Sequence, residues 1–381
     1  MVKKLESYIQ QNTDKYFTHT KEIVKKHGDT QVVYAVFLRK PALYACKLAL
    51  NFIYDVNQQL NYKIKIIENF QEGDVVAPGE PLFFIQGSFV NISELETLFL
   101  QKVGIPCTCA WNAYHMALAF PKAKFISMLA RHCVNPDMAY ACEYGASVGS
   151  ARAQKEDCLG FIGSSNDLSA TLFGQKEGLG TMPHSLIGYA GSTLNAVKMF
   201  YDTFHPEQIT ALVDYFGKEV TDSLAICKAF PEFANNGKLV VRLDTHGARY
   251  MEGLNYDKSY DVIEKYAKKS LLNYKHKEDL HSLVGQGVSA AAIFYLREKL
   301  DEAGFPKVKI TVSSGFNLHK CMILSQLKPP IDIIGTGSYI PTIWSDTNAT
   351  SDIVEYNGIS SIKKGREYLI KRWLKKKQKL C

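Results

Sequence analysis

Gly180-Thr181-Met182-Pro183-His184-Ser185-Leu186 concentrates more reactive chemistry than any other run in the chain. Gly174 and Gly178 upstream, and Pro183 within it, predict a constrained loop rather than the middle of a helix. Beyond it Leu186, Ile187, Ala190, Leu194, Val197 and Tyr201 recur near helical spacing, which predicts a helix over 186–201. A Thr, a His and a Ser at a helix start gather hydroxyl donors, free backbone N–H groups and the positive dipole end, which suits an anion. An imidazole in that position can attack a phosphoryl group. The same residues also fit a capped turn whose His is satisfied by the backbone, and spacing alone leaves both readings open.

Two further turns suit phosphate. Ser313-Ser314-Gly315-Phe316-Asn317 and Gly335-Thr336-Gly337-Ser338 each follow an apolar β-rich run and precede a predicted helix. Glycine lets the backbone approach an oxyanion while Ser and Thr hydroxyls donate to it. Arg131, Arg242 and Asp244 stand at strand ends. An Arg there offers a fork for a carboxylate or phosphate, and an Asp can hold Mg²⁺ through waters or accept from a ribose hydroxyl. The plain structural alternative is an ion pair between Arg242 and Asp244. The chain has no GxxxxGK[ST], no GxGxxG after a first strand, no nucleophile elbow and no HExxH.

Strand–helix alternation must position these groups. Strands are predicted at 123–128, 159–162, 209–213, 238–243, 307–313 and 331–335, several of them ending on polar or glycine residues. That rhythm predicts a parallel α/β barrel with its site at the strand C-termini. Before it lie a helical pattern over 1–28, a β-rich run over 31–38, a helix after Pro41, an alternating run over 63–67 and a helix opening at Glu94. The segment 72–87 reads as a strand–turn–strand hairpin with Pro-Gly punctuation. It carries no Lys at its tip, so a lipoyl-type role is set aside. Residues 137–158 and the polar stretch 252–285 read as insertions.

At 381 residues, with 46% apolar and 22% charged residues, the composition is that of a globular chain with an ample core. No segment approaches the apolar run a membrane helix needs, and the N-terminus lacks a secretory h-region. Nine scattered Cys without a CxxC pair predict a reducing, cytoplasmic setting. The net charge of +7 is local: residues 361–381 carry +8, leaving −1 for the rest. That tail reads as a solvated helical end; with only Tyr368 and Trp373 it lacks the interleaved aromatics of a nucleic-acid surface.

GTMPHSL, preceded by Gly163-Ser164-Ser165-Asn166, resembles the phosphohistidine loop of the nicotinate phosphoribosyltransferases. Other pieces follow in that family's order over nearly the whole chain. Tyr16-Phe17-x-x-Thr20 and Val36-Phe37-Leu38-Arg39 are similar to its N-terminal substrate segments. The 72–87 run and Glu94-Leu95-Glu96-Thr97 are similar to its N-terminal sandwich. Ala130-Arg131-His132 stands at its Gly-x-Arg-Arg turn, while Asp214-Tyr215, Arg242-Leu243-Asp244-Thr245 and the two phosphate-type turns resemble its later strand ends. Asp352-Ile353-Val354, Asn357-Gly358 and Lys363-Lys364-Gly365-Arg366 are similar to its C-terminal strand pair.

The resemblance implies a type II phosphoribosyltransferase. Its parts would be an N-terminal α/β sandwich over 1–110, an irregular parallel α/β barrel over 111–345, and a C-terminal segment over 346–381 that completes the sandwich. It implies a homodimer with shared sites that joins nicotinate to 5-phosphoribosyl-1-diphosphate, with Mg²⁺ and ATP, without nucleic acid or membrane. His184 would be phosphorylated by ATP, changing the loop's charge by about −1.5 to −2. Arg131 would bind the nicotinate carboxylate or a neighbouring phosphate, with Thr181 and Ser185 lining the pocket and Tyr16 stacking on the pyridine. Thr20, Arg39 and Asp214 would complete the substrate contacts, and Arg242 and Asp244 would hold the ribose–diphosphate end. Ser314, Gly315, Gly337 and Ser338 would cradle the 5-phosphate. The chain departs from the family at His132, which replaces a second Arg, and at Ser314, which replaces a Gly. Sister enzymes for nicotinamide or quinolinate, or a non-catalytic nucleotide-binding relative, are the alternatives.

Overall fold

The computed structural model describes residues 2–180, 182–267, 276–342 and 349–380. Two compact units emerge: Met1–Tyr114 with Cys133–Arg152 and Pro341–Cys381, and His115–His132 with Ala153–Ile340.

The first unit is built on an antiparallel sheet. Strand Gln31–Phe37 pairs with Pro81–Ser88 on one side and Thr350–Tyr356 on the other, flanked by Lys65–Glu68 and Ile359–Ser360. Alternation sends Val33, Ala35 and Phe37 to one face, where they join Ile67, Phe84 and Val354 in an apolar core. Helix Glu367–Gln378 covers that core with Leu369 and Trp373. Trp373 Nε1 and Lys377 Nζ each donate to Glu355 at 2.8 Å, and Lys376 Nζ donates to the Glu68 carbonyl at 2.7 Å. The basic tail is therefore a helix with one apolar face seated on a sheet.

Three local expectations change. Segment 72–87 does contain two strands, but they do not pair with each other. Val75–Val76 pairs with Ala42–Leu43, whereas Pro81–Ser88 joins the five-stranded sheet. After Pro41 the chain makes that short strand first and enters helix Lys47–Leu60 only later. Residues 137–158 are not a loop insertion, because Pro136–Gln154 is one helix. Gly145 and Gly149, one turn apart, let it lie against helix Glu96–Ala119. A Cβ at either would collide with the carbonyl of Pro106 or Ala110, so only hydrogen fits there.

The second unit is a parallel six-stranded sheet: β1 (Lys124–Ser127), β2 (Phe161–Ser164), β3 (Ile209–Leu212), β4 (Leu239–Leu243), β5 (Lys309–Val312) and β6 (Ile333–Thr336). Their spatial order is β2-β1-β6-β5-β4-β3. First and last strands are paired, and of the chain-consecutive pairs only β2 and β3 lack a ladder. This is barrel order with one seam. Segment 174–180 runs along β2, where Leu179 N donates to Ser164 O at 2.7 Å and Gln175 Nε2 to Ile162 O at 3.0 Å. Ile126, Ile162, Thr210, Thr311 and Ile333, from five of the six strands, line one cavity of ≈ 600 Å³, so the sheet curves around its own inner face.

The helix expected over 186–201 is two helices, His184–Ala190 and Thr193–Phe204. Gly191 (φ 73) ends the first, and the Ser192 side chain caps the second by accepting from Asn195 N. The polar stretch 252–285 contains helices Tyr256–Tyr266 and Lys277–Val284.

Candidate active site

Register fixes which side chains share the inner face. Leu212 pairs with Arg242, Arg242 with Thr311, and Thr311 with Ile333. Side chains two residues apart point the same way. One step further along the strands, Asp214, Asp244, Ser313 and Gly335 therefore form the next layer at the C-terminal ends.

His184 opens its helix directly after Pro183 (ψ 162), and its ring turns to this layer. Nε2 lies 3.1 and 3.2 Å from the two carboxylate oxygens of Asp214. The His184 side chain is 44% exposed while that of Asp214 is only 7% exposed, so one ring edge is buried and the other stays accessible. An ionised carboxylate only accepts, so Nε2 carries a proton, and in the neutral ring the lone pair is on Nδ1. Burial raises the Asp214 pKa, the His184 hydrogen bond and charge pull it back, and the Asp244 charge raises it again. Tyr215 flanks the imidazole at 6.3 Å between ring centroids.

Asp214 is anchored from behind. Arg249 Nη2 donates to the Asp214 carbonyl at 2.7 Å and pairs with Glu219 at 2.5 Å. Glu219 is fully buried, and its carboxylate also accepts from Thr245 Oγ1 at 2.9 Å and Glu252 N at 3.1 Å. A buried carboxylate with three donors is a satisfied one, and it ties the loops after β3 and β4 together.

Beside it, Arg242, Asp244 and Ser313 form a closed triangle. Arg242 Nη2 donates to Asp244 Oδ2 at 3.1 Å and Nε to Ser313 Oγ at 3.1 Å, while Ser313 Oγ donates to Asp244 Oδ1 at 2.8 Å. The ion pair anticipated as the plain alternative is present. It also sits at the strand ends, partly open to solvent, with side chains 14% and 17% exposed.

The two glycine–serine turns meet. Thr336 Oγ1 donates to the Phe316 carbonyl at 2.9 Å. Ser314 (φ 75) and Gly315 (φ 69) are both left-handed, a conformation that favours glycine and that Ser314 adopts with a side chain. Lys320 Nζ donates to the Ser314 carbonyl at 3.2 Å and stands 4.4 Å over the Phe316 ring. Burial lowers that lysine's pKa to about 8. Gly337 packs against the Arg131–His132 turn: a Cβ there would lie 2.7 Å from Met128 O and 2.8 Å from His132 Cδ2. Burial, then the Arg131 charge, lowers the His132 pKa. Arg131 is exposed and points Nε to His132 Nε2 at 3.4 Å. Ser185, Gly315 and Ser338 are exposed.

The second unit thus gathers His184, Asp214, Arg242, Asp244, Arg131, Ser314 and Gly337 around one end of the sheet. Thr181 lies outside the described residues. Tyr16, Thr20 and Arg39 belong to the first unit. There Tyr16 is 61% exposed, with Oη donating to Asp14 at 3.2 Å, and Thr20 Oγ1 donates to the Tyr16 carbonyl at 2.8 Å. Sequence reading placed Ser313 in a phosphate-type turn without giving it a partner, and passed over Lys320, Glu219 and Arg249. Ser313 ends the β run read over 307–313, whereas Glu219 and Arg249 carry no local signal. Among the described residues no group of three or more His, Cys, Asp or Glu side chains is placed to hold a metal ion.

No family model matches the chain, and no curated protein matches it in sequence. Solved structures do match. Nicotinate-nucleotide pyrophosphorylase from Pyrococcus furiosus aligns over 94% of this chain and 79% of its own, with TM-score 0.70 and 23% identity. Human nicotinic acid phosphoribosyltransferase aligns over 92% and 76%, with TM-score 0.61 and 17% identity. Nicotinate-nucleotide pyrophosphorylase from Ehrlichia chaffeensis aligns over 92% and 97%, with TM-score 0.56 and 13% identity. At such identities the likeness is one of architecture: the chain shares its fold with these solved structures.

Proposed function

We propose that the chain is an ATP-coupled nicotinate phosphoribosyltransferase of NAD biosynthesis, forming nicotinate mononucleotide and diphosphate from nicotinate and 5-phosphoribosyl-1-diphosphate. The observation that carries this reading is the His184–Asp214 pair, with its free ring nitrogen directed away from the carboxylate. Asp214 holds the proton on Nε2, so Nδ1 attacks the γ-phosphorus of ATP, the bond to the β-phosphate oxygen breaks, and ADP leaves. Hydrolysis of phosphorylated His184 then restores the imidazole in each turnover. Added negative charge on the loop changes how strongly the neighbouring turns hold diphosphate.

Arg242 and Asp244 hold the ribose–diphosphate end, Ser313 fixing both. Ser314, Gly315, Gly337 and Ser338 receive the 5-phosphate, with Lys320 behind them. Arg131 takes the nicotinate carboxylate, with Ser185 contributing to the same pocket. Tyr16, Thr20 and Arg39 act from the partner copy in a homodimer with shared sites. The Mg²⁺ such a reaction uses fits a donor set of two carboxylates, Asp214 and Asp244, both already engaged by side-chain partners. An ion held chiefly by substrate phosphates needs no more than one or two protein carboxylates. When bound it supplies charge neutralisation for the departing diphosphate.

One observation favours a second reading. A neutral His132 in place of a second guanidinium weakens the local field for a carboxylate, which suits the amide of nicotinamide. Among the described residues no helix is long and apolar enough to cross a membrane.

The test is incubation with γ-labelled ATP. Acid-labile, base-stable label on the wild type, absent in His184→Ala, together with nicotinate-dependent release of diphosphate, supports the reading. Bound nucleotide without label points to a non-catalytic relative, and turnover with nicotinamide instead of nicotinate supports the sister enzyme.

A further inference from the structure

At the end of the parallel sheet opposite Asp214 and Asp244 lies a cavity of ≈ 950 Å³. Its walls come from segments that enter β1, β4, β5 and β6. Phe120, Val308 and Ile331 line it together with Pro121, Pro306, Pro329 and Pro330. The four prolines have fixed φ, so this wall is preformed rather than collapsible.

Its charge is one-sided. Lys122, Lys307, Lys309 and Lys328 line it, and none has a carboxylate partner among the described residues. Arg297 closes the floor but its charge is spoken for: it donates from Nη1 to the Val308 carbonyl at 2.6 Å and from Nη2 to the Phe305 carbonyl at 2.8 Å, and pairs with Asp301 at 2.7 Å. Its Nε is buried without a hydrogen-bond partner. The one lining carboxylate, Asp332, is committed to the backbone, accepting from Ile310 N at 2.8 Å. A face that served stability alone would fill such a crevice or pair its lysines. Here apolar walls and a rim of unpaired lysines enclose one volume of the size a small ligand needs.

We propose that this cavity is a second, non-catalytic binding site for a small amphipathic anion: an aromatic or aliphatic body on the proline wall, with a carboxylate, sulfonate or phosphate among the lysines. The inference does not depend on the reaction proposed above.

The experiment uses the full chain and two matched probes, anionic 1-anilinonaphthalene-8-sulfonate and its uncharged parent N-phenyl-1-naphthylamine. The expected result is saturable binding of one sulfonate probe per chain, at least about tenfold tighter than the neutral probe. The charge reversal Lys307→Glu with Lys309→Glu removes that preference, and Ser325→Tyr, which fills the cavity from its rim, abolishes binding of both probes. Lys375→Glu, on the helix of the other unit, leaves binding unchanged. Circular dichroism establishes that each variant is folded. Equal affinity for the two probes, a stoichiometry well above one, or binding indifferent to both the charge reversal and Ser325→Tyr overturns the proposal.

Discussion

His184 Nε2 stands 3.1 and 3.2 Å from the two oxygens of one buried carboxylate, Asp214. A ring nitrogen that bridges both oxygens has its proton fixed, which leaves the partner nitrogen the lone pair that the proposed phosphoryl transfer requires. Asp214→Asn offers an amide N–H to Nε2 as readily as an oxygen, so Nδ1–H becomes competitive and the reactive tautomer is lost. Histidine phosphorylation and ATP-coupled turnover should fall by about 10–100-fold with little change in fold. Label incorporation per chain, beside circular dichroism, is the check, and full labelling of the Asn variant would exclude the orienting role.

The Arg242–Asp244–Ser313 triangle is expected to respond unequally to its three members. Ser313→Ala removes one hydrogen bond on each partner but leaves the ion pair, at about 1 kcal/mol. Asp244→Ala strands a partly buried guanidinium and should cost more, about 1–3 kcal/mol, with a large rise in KM for 5-phosphoribosyl-1-diphosphate. Urea midpoints and substrate titrations of the two variants separate these effects.

Gly337→Ala is expected to displace the turn after β6, because its new methyl meets both a backbone carbonyl and the His132 ring. Overpacking of this kind costs about 1–3 kcal/mol. If the turn binds phosphate, KM for the phosphoribosyl donor rises. Adding His132→Ala relieves the ring contact and not the carbonyl contact, so the double variant should recover only part of the loss in Tm and KM.

Glu96, in the first unit, has its pKa raised to about 7, first by burial and then by the Asp352 and Asp14 charges, with Ser351 opposing them. The folded chain therefore holds this proton more tightly than the unfolded one. Its contribution to stability is full below the unfolded value near 4.5 and is lost as pH rises through about 7. Glu96→Gln cannot ionise and should escape that decline, gaining on the wild type by at most about 3 kcal/mol between pH 5 and 8. Urea unfolding across that range measures the gap, and parallel curves would show that Glu96 does not titrate there.

Much of the barrel was legible because each strand is a short apolar run stopped by polar or glycine residues. The runs at 209–213, 238–243 and 307–313 enclose β3, β4 and β5. The local chemistry of Gly180–Leu186 and of both glycine–serine turns was equally plain, because hydroxyls, glycine and imidazole declare themselves by type. The 72–87 hairpin misled for a physical reason: Pro-Gly marks a turn but says nothing about which strands pair across it.

What sequence alone determined was periodicity and residue type: an α/β chain, strand ends rich in anion-binding groups, and one histidine in a constrained loop. Tertiary structure decided the rest. It set Asp214 rather than the backbone against His184, chose Ser313 to bridge Arg242 and Asp244, and placed Glu219 and Arg249 behind them. It also curled the sheet so that β1 lies beside β6 and left its seam between β2 and β3. Those relationships depend on strand register and on which inner-face side chains meet across 30 to 200 positions of chain, and local composition carries no record of either.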